Sequence, residues 1–522
     1  MTTPKRGPQT ATAPRTAATP RPEAASKAGS RASFRRRALA ALGDAQLRRA
    51  VRISVDEAGA ARNQAVAQLV ALAREGLVRG DFAAMRHRAR DIKAETIGHL
   101  DLYLAQAAGA IRQRGGTVHF AAGAAEVGAI VRDIALTRGV TLAVKGKSMA
   151  TEEVGLNAAL ESAGVQVVET DLGEYIIQLA GEKPSHIVAP AIHKSREEIA
   201  DLLGRATGRS LPTDTPTLAG VARRVLREKF LQAGMGISGA NFVVAETGTV
   251  CLVTNEGNGR LTTSAPSVHV AVVGIEKLVP SLEDLALFLS LLARSSTGQK
   301  ISVYTHLITG PRGPGEADGP DELHVIFLDG GRSSILGTEF QDVLHCIRCG
   351  ACLDQCPVYR QLGGHAYGGV YSGPIGAVLT PLLGGFAENA DLPAEACSLC
   401  GACGEVCPSA IPLPDLILAH RRRMVREGRD HSGLGLPLRL AAAAWTRPWV
   451  YRASARLGRA VLRIARGTGF PGGAAAPATP AGPVSPAGPL AAWLNGRDLP
   501  PPASKTFHEL WRERQQHGRD GQ

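Results

Sequence analysis

The chain has 522 residues, of which 44% are hydrophobic, so it is long enough for several domains with buried cores. Its formal net charge of +12 is unevenly distributed: residues 1–37 carry +8 and residues 420–522 carry +11, which leaves −7 between them. An acidic body argues against a nucleic-acid groove, and we expect no nucleic-acid partner. The sequence shows no apolar run long enough to span a bilayer and no secretory signal, so we expect a cytoplasmic protein.

The first 112 residues divide into a tail and a helical segment. Residues 1–33 are rich in Ala, Pro, Thr, Ser and Arg, which predicts a disordered tail. Residues 34–112 are rich in Ala, Leu and Arg and repeat apolar residues three or four positions apart, which predicts helices.

An α/β domain is predicted over residues 113–332, because short β-branched runs alternate there with helical stretches. This alternation is typical of a largely parallel sheet. The early strands are predicted at 117–122, 141–146, 165–170, 185–190 and 240–246, and later strands follow with short connections. The stretch "GKS" at Gly146–Ser148 follows a strand as in a phosphate-binding loop. However, Thr141 stands where that motif requires a glycine, so no nucleotide site is predicted.

Eight of the nine cysteines occupy two copies of one pattern, C-x2-C-x2-C-x3-C-P, within residues 338–420. This is the bacterial ferredoxin spacing for a [4Fe–4S] cluster, and in two-cluster proteins the fourth cysteine binds the cluster of the other motif. The sequence therefore predicts two [4Fe–4S] clusters. The expected ligands of the first are Cys346, Cys349, Cys352 and Cys407. The expected ligands of the second are Cys397, Cys400, Cys403 and Cys356.

Zinc sites and disulfides are the alternatives for these cysteines. Zinc sites usually pair two short cysteine knuckles across a longer gap, and disulfides need an export route, of which the sequence shows no sign. Within the motifs, Gly350 and Gly401 let the backbone approach a cluster closely, and Pro357 and Pro408 end each loop. The ninth cysteine, Cys251, lies in a predicted strand and is interpreted as a small buried hydrophobe.

Three segments follow the cysteine region. Residues 421–470 are basic and predicted to be helical, residues 471–490 form a low-complexity linker, and residues 491–522 form a short tail. The basic helical region could make a peripheral membrane contact. Alternatively, its Leu and Ala face covers the ferredoxin module, and its arginines meet solvent or an acidic partner.

Several stretches are similar to the lactate utilization protein B family of iron–sulfur proteins, which contain a LUD domain. They include "KGKSMATEEVGLN", "VETDLGEYIIQL", "GANFVVAETGTVCLVTNEGNGRLTTSAPSVHV" and "GHAYGGVYSGPIGAVLTPLL". The resemblance implies an α/β LUD domain with the fold of CoA transferases and ribose-5-phosphate isomerases. An α-helical two-cluster ferredoxin module would follow, as in succinate dehydrogenase iron–sulfur subunits, and helical segments would stand at both ends.

The same resemblance implies a function in the oxidation of L-lactate to pyruvate. Members of the family work with lactate utilization proteins A and C, and protein B is expected to pass electrons. The resemblance does not identify the electron acceptor.

Enzymes of the implied fold use a carboxylate near strand ends, where α/β sheets place their ligands. The candidate catalytic residues are Glu169, Asp171, Glu174, Glu246, His186 and His193. The candidate anion-binding groups are Lys145, Lys147, Ser148, His186, His193, Arg260 and His269. The same side chains could instead only cap helices and join loops, as Asp and Ser commonly do.

Four functions are compatible with these patterns, and an electron-transfer subunit of a lactate-oxidising system is favoured. A self-contained dehydrogenase that binds lactate in the LUD domain is the first alternative, although no flavin or nicotinamide motif is found. The others are a CoA-transferase-like or isomerase-like enzyme with structural clusters, and a nucleic-acid protein that uses its basic ends.

Overall fold

A computed structural model describes residues 33–78, 80–185, 189–429, 435–467, 503 and 505–519. The chain divides into two compact units between residues 427 and 428. The first unit contains the cysteine motifs and both sheets, and the second contains only helices among its described residues.

Four helices begin the first unit, and aspartates cap two of them. Asp44 accepts a hydrogen bond from the amide of Leu47 (2.8 Å), and Asp81 accepts one from the amide of Ala84 (2.9 Å). The helices are α1 (Phe34–Gly43), α2 (Ala45–Arg74), α3 (Phe82–Gly98) and α4 (Leu100–Gln113). The predicted helical segment at residues 34–112 therefore consists of one long helix and three shorter ones.

Ten strands form two sheets. The strands are β1 (Thr117–Ala121), β2 (Leu142–Lys145), β3 (Gln166–Glu169), β4 (Met235–Ser238), β5 (Phe242–Val244), β6 (Thr249–Thr254), β7 (Val268–Gly274), β8 (Leu278–Val279), β9 (Tyr304–Ile308) and β10 (Glu322–Leu328). The larger sheet has six parallel strands in the order β1-β10-β7-β4-β2-β3. The smaller sheet has the order β8-β5-β6-β9, and β6 is antiparallel to both of its neighbours.

Helices lie between the strands, and those that share a core with the larger sheet cover both of its faces. They are α5 (Ala124–Thr137), α6 (Met149–Glu153), α7 (Leu156–Glu161), α8 (Leu172–Ala180), α9 (Arg196–Thr207), α10 (Thr215–Gln232), α11 (Asn258–Ser264) and α12 (Leu282–Ser296). Helices α5 and α7 share one core with the sheet, and α8, α9 and α10 share another. The domain is therefore α/β, as predicted.

The cysteine region folds as short helices around one long buried helix. The helices are α13 (Ala351–Asp354), α14 (Tyr359–Leu362), α15 (Gly373–Leu383), α16 (Phe386–Asn389), α17 (Asp391–Glu395), α18 (Ala402–Val406) and α19 (Leu413–Arg426). Short 3-10 turns lie at Ile275–Lys277, Ser333–Ile335, Gln341–His345 and His365–Tyr367. The core around α15 is continuous with α2, α4 and one face of the larger sheet, so the ferredoxin module and the LUD domain share buried side chains.

The second unit contains α20 (Gly435–Trp445), α21 (Pro448–Gly467) and α22 (Phe507–Arg519). Arg459 of α21 forms an ion pair with Glu509 of α22 at 3.9 Å. Large apolar side chains on α21, including Trp449 and Leu457, are exposed. Among the described residues, no helix is both long and apolar enough to cross a membrane. Peripheral membrane contact by the basic region stays a prediction.

One predicted strand differs from the structure, and one observed strand was not predicted. Residues 186–188 of the predicted strand at 185–190 lie outside the described residues, and Ser185, Ala189 and Pro190 are not in a strand. Strand β4, at the centre of the sheet, was not predicted. Its sequence contains Gly236, and glycine within a strand weakens the usual signal.

Gly236 is required because α11 approaches β4 closely. A Cβ atom at Gly236 would lie 1.8 Å from the carbonyl oxygen of Thr262, which is backbone and cannot rotate away. We expect Gly236→Ala to destabilise the first unit by about 1–3 kcal/mol, because a helix or strand must shift to relieve the overlap. The measurement is the urea unfolding midpoint, followed by circular dichroism.

Gly109→Ala is the matched control for this change. Position 109 lies in α4 with nothing within 4 Å of a Cβ, and alanine is the better helix former. We expect an unchanged or slightly higher midpoint for the control. An unchanged midpoint for Gly236→Ala would contradict the close approach of α11.

Candidate metal centre and adjoining cavity

The two cysteine motifs adopt the same unusual local backbone. Arg348 and Leu399, each two residues after the first cysteine of its motif, have φ of 61° and 57°. Gly350 and Gly401 follow with φ of 84° and 89°. Positive φ is uncommon for residues other than glycine, so two equivalent positions with this conformation indicate a required turn.

This turn directs backbone amides at the cysteine sulfurs. The amide of Arg348 donates to Sγ of Cys346 at 3.4 Å, and the amide of Leu399 donates to Sγ of Cys397 at 3.3 Å. Such hydrogen bonds favour a thiolate over a thiol. They are also among the interactions that set the potential of an iron–sulfur cluster.

The last cysteine of each motif has a similar arrangement. Sγ of Cys356 accepts a hydrogen bond from the amide of Tyr359, and Sγ of Cys407 accepts one from the amide of Ile411, both at 3.4 Å. Cys356 and Cys407 are both buried. In each motif, the first and the last cysteine therefore both accept a hydrogen bond from a backbone amide.

The cysteines gather in groups that combine the two motifs. Four of them line one cavity with about 390 Å³ of empty space, including its open side: Cys346, Cys349, Cys352 and Cys407. The thiols that act electrostatically on Cys403 are Cys397, Cys356 and Cys400. Each group thus contains three cysteines of one motif and the last cysteine of the other. Ligation by these residues stays a prediction, and the groups have the membership expected from the spacing.

As long as no metal is bound, burial keeps these thiols protonated. Burial raises the pKa of Cys403 to about 12, and burial also raises the pKa of Cys356 and Cys407 to about 11 despite their amide donors. Binding iron replaces the thiol proton and stabilises the thiolate. Among the described residues, no three His, Cys, Asp or Glu side chains meet closely enough to hold a single metal ion. The four cysteines of each group are the donor set that a [4Fe–4S] cluster takes, so the residues present fit such clusters.

The N-terminal helices hold the second cysteine motif in place. Arg86 of α3 donates to the carbonyl oxygens of Gly404 and Glu405, both at 2.6 Å, and Arg62 of α2 donates to the carbonyl oxygen of Val406 at 3.2 Å. These carbonyl groups belong to α18, a short helix whose last carbonyl groups lack donors within the helix. The two arginines supply the missing hydrogen bonds.

A buried ion network joins the first cysteine motif to the LUD domain. The carboxylate of Glu276, which follows β7, accepts hydrogen bonds from Nε of Arg332 (2.5 Å) and Nη2 of Arg348 (3.0 Å). Arg332 also makes two hydrogen bonds of 2.8 Å to Glu153. The guanidinium of Arg348 lies 4.8 Å from the ring centre of Tyr371. Burial alone would raise the pKa of Glu276, yet the two arginines lower it to about 2.

A large cavity lies at the carboxyl edge of the parallel sheet, beside the first motif. Its empty space is about 1600 Å³, including the open mouth. Residues that follow five of the six parallel strands contribute to its wall, which is the usual place for a ligand in an α/β sheet. They include Lys147, Asp171, Asn241, Lys277 and Arg332. Arg348 and Cys349 form the wall on the side of the first cysteine motif.

The structure places only some of the predicted pocket residues at this cavity. Asp171, Lys147 and Ser148 line it. The last two belong to the "GKS" stretch for which no nucleotide site was predicted. Asp171 also caps α8 by accepting hydrogen bonds from the amides of Gly173 (3.0 Å) and Glu174 (3.2 Å).

The other acidic candidates lie elsewhere. Glu169 is buried and forms an ion pair with Lys145 at 2.8 Å. Glu174 is buried, and burial raises its pKa to about 7. Glu246 is exposed, and its amide donates to the carbonyl oxygen of Pro280. None of these three carboxylates lines the cavity.

The basic candidates are also dispersed. His193 pairs with Glu182 at 2.7 Å, and the buried ring of His269 shares a hydrogen bond of 2.8 Å with Ser238. Neither these two histidines nor Arg260 lines the cavity. His186 lies outside the described residues. Cys251 is fully buried in β6, as expected of a small hydrophobe.

Glu276, Lys277, Arg332 and Arg348 were not predicted as site residues. A sequence signal existed for Glu276 and Lys277, because they come two and three positions after the strand "VHVAVVG" and so lie at the carboxyl edge of the sheet. No local signal marks Arg332 or Arg348, whose partners are distant in sequence.

Three family models match consecutive parts of the chain. A LUD domain model matches residues 104–328, a 4Fe-4S dicluster domain model matches residues 342–411, and a model of the C-terminal region of lactate utilisation protein B matches residues 420–516.

Proteins from several bacteria are similar to this chain over most of its length. Lactate utilization protein B of Geobacillus kaustophilus is 45% identical over 84% of this chain and 90% of its own length. The uncharacterized electron transport protein YkgF of Escherichia coli is 40% identical over 93% of this chain and 98% of its own length. A crystal structure of a DUF162 family protein from Deinococcus radiodurans covers 44% of this chain and 98% of its own, with 17% identity and a TM-score of 0.25.

The crossed grouping of the cysteines leads to a test of cluster ligation. We expect Cys407→Ser to lose the cluster held by Cys346, Cys349 and Cys352, and with it about half of the bound iron, because the fourth ligand comes from the second motif. The measurements are iron content and the electron paramagnetic resonance spectrum of the reduced protein. Cys251→Ala is the control and should keep all of its iron. Full iron content in Cys407→Ser would show that the first motif needs no cysteine from the second.

A second test concerns the buried carboxylate. We expect Glu276→Gln to lower stability by about 3–5 kcal/mol, because it leaves the charges of Arg332 and Arg348 without their shared partner. The loop of the first motif should then lose its cluster faster in air, followed as decay of visible absorbance. Glu246→Gln, at an exposed carboxylate, is the matched control. Equal decay rates in both variants would contradict an anchoring role for Glu276.

Proposed function

We propose that this chain, which belongs to the lactate utilization protein B family, transfers electrons through two [4Fe–4S] clusters during the oxidation of L-lactate to pyruvate. The family matches support the statement that the chain is an iron–sulfur protein of lactate utilization. The proposal adds to this the electron-transfer step, the number of clusters and the partners.

The observation that carries this proposal is the proximity of the two cysteine groups. Helix α13, which contains the predicted ligand Cys352 of the first cluster, packs against α18, which contains the predicted ligand Cys403 of the second, and both side chains belong to one core. When bound, each cluster would take up and release one electron at a time. Neighbouring one-electron sites suit a protein that moves electrons between a donor and an acceptor.

The protein environment supports this use of the site. Of the eight predicted ligands, Cys356, Cys403 and Cys407 are buried, Cys400 is exposed and the other four are half-buried. Backbone amides donate to four of the sulfurs. Buried donors and a low exposure to water are the means by which a protein sets the potential of a cluster. The chain's own residues thus hold and shield the redox centre, and lactate loses two electrons and two protons elsewhere in the system.

We infer that lactate utilization proteins A and C are the working partners, and that the complex acts in the cytoplasm. Both inferences rest on the family to which the chain belongs. The final electron acceptor is a further component, to be found by reconstitution.

One observation favours a second candidate function, in which the LUD domain itself oxidises lactate. The cavity at the sheet edge reaches Cys349, a predicted cluster ligand. A substrate in the cavity would therefore lie beside the first cluster. A two-electron oxidation normally uses a cofactor that accepts a hydride or an electron pair, and the sequence contains no motif for one.

Anaerobic reduction of the clusters distinguishes the two functions. We expect L-lactate alone to leave the visible absorbance of the oxidised, cluster-loaded protein unchanged, and to bleach it once proteins A and C are added. The control is the same mixture without this chain, measured with an artificial electron acceptor. Bleaching by lactate alone would contradict the electron-transfer proposal and support oxidation within the LUD domain.

A further inference from the structure

The loops of the two cysteine motifs have the same backbone conformation but different side chains. The equivalent residues Arg348 and Leu399 have positive φ values of 61° and 57°, and Gly350 and Gly401 follow them with 84° and 89°. Positive φ at a residue other than glycine persists only where the surrounding structure requires it. Because both loops keep this conformation, a difference in their use must come from their side chains and from what covers them.

The loop of the first motif is enclosed by the first unit. Ile347 is 3% exposed and belongs to a core that also contains side chains of α3 and α12. Arg348 donates to the buried carboxylate of Glu276, and its guanidinium lies against the ring of Tyr371. Cys349 is in the wall of the cavity at the sheet edge. Another protein therefore has little access to this loop.

The loop of the second motif faces solvent instead. Ser398, Leu399 and Cys400 occupy the positions equivalent to residues 347–349, and all three are exposed. Of the eight predicted ligands, all of which the structure describes, Cys400 alone is exposed. Electron transfer becomes slower as the distance between two redox centres grows. A ligand at the surface therefore marks the place where a partner protein reaches a centre most readily.

An apolar side of α19 adjoins the second motif. Arg421 donates to the carbonyl oxygen of Cys397 at 2.6 Å, so this side of the helix lies against the motif. Leu418 and Val425 stand three positions before and four positions after Arg421, which places them on the same side. They are 41% and 63% exposed, and Leu399 is 38% exposed. Large apolar side chains that are exposed in one region mark a contact surface for another molecule.

The proposed function requires a protein at such a surface. Lactate loses its electrons elsewhere in the system, so they must reach this chain from another protein. Of the two loops, the second offers that protein both an exposed ligand and an apolar contact surface. Redox encounters form small interfaces, and one loop with one side of a helix provides a surface of that kind.

We propose that residues 398–400 and the side of α19 around Leu418 and Val425 are the docking surface for the protein that reduces this chain. This inference rests on the proposed function and adds to it where the partner binds. The partner carries a one-electron centre beneath an apolar surface. In each encounter that centre is oxidised by one electron and the cluster at the second motif is reduced by one. Two encounters deliver the two electrons of one lactate, one for each cluster.

The exposure of the two centres is measured by electron paramagnetic resonance on the full-length, cluster-loaded and reduced protein, with a hydrophilic dysprosium complex in solution. Cys407→Ser should keep the centre at the second motif, and Cys400→Ser the centre at the first. We expect the complex to accelerate spin relaxation severalfold more in Cys407→Ser, because its remaining centre has an exposed ligand. Equal acceleration, or stronger acceleration in Cys400→Ser, would overturn the proposal. Should either variant retain no iron, the docking measurement decides.

Docking is measured as the rate at which proteins A and C, with L-lactate, bleach the oxidised protein in an anaerobic stopped-flow experiment. We expect Leu399→Asn and Leu418→Gln each to slow bleaching about fivefold or more at low partner concentration, because each removes apolar contact area. Asparagine tolerates the positive φ at position 399. Unchanged rates in both variants would contradict the docking surface.

Leu231→Gln is the matched control, at a leucine of α10 that is 74% exposed on the LUD domain. It should be reduced as fast as the unaltered protein. Iron content and midpoint potentials are measured first for each variant, and where Leu399→Asn changes either, Leu418→Gln decides. Sedimentation velocity tests a different occupant, because dimerisation that Leu399→Asn abolishes would assign the surface to a second copy of this chain and overturn the proposal.

The proposed function and this inference fail in different ways. A chain that proteins A and C reduce at one rate in all variants keeps the proposed function and loses the docking surface. A chain that they do not reduce at all loses the proposed function, whereas the dysprosium measurement still decides whether the second motif is the one that faces outwards.

Discussion

The interaction on which the arrangement of this protein depends is the buried contact of Glu276 with Arg332 and Arg348. Glu276 stands at the end of a central strand, and Arg348 stands between two cysteines of the first motif. Charges buried to this extent are stable only with partners in good geometry. The contact therefore fixes the distance and orientation between the sheet edge and the predicted cluster, and makes the two domains one working unit.

The surrounding structure supports the same junction from other sides. Lys93 of α3 donates to the carbonyl oxygens of Glu276 and Leu278, which holds the turn after β7. Arg421 of α19 donates to the carbonyl oxygen of Cys397 at 2.6 Å. Helices α3 and α19, near the two ends of the first unit, thus donate hydrogen bonds to backbone carbonyl groups beside the cavity and in the second cysteine motif. The basic side chains in these helices are used as much for internal hydrogen bonds as for surface charge.

Sequence reasoning was most successful where the chemistry is local. Cluster type depends on the short spacing within each motif, and alternating strands and helices predicted the α/β domain. Strand β4 was missed because a helix requires glycine at Gly236. The separate sheet around β6 was not predicted, because a run of strand-forming residues does not reveal which strands pair with each other. The cavity residues Arg332 and Arg348 pair across 56 and 72 positions with Glu276, a separation that no local pattern reports.

The crossed grouping of the cysteines has a consequence for how the protein is made. Cys346 precedes Cys407 by 61 positions in the chain. If each cage needs one cysteine from the other motif, a nascent chain cannot complete the first cage until the second motif has left the ribosome. Cluster insertion would then come late in synthesis, after the LUD domain has had time to fold, and a chain truncated before Cys407 would emerge without a complete first cage.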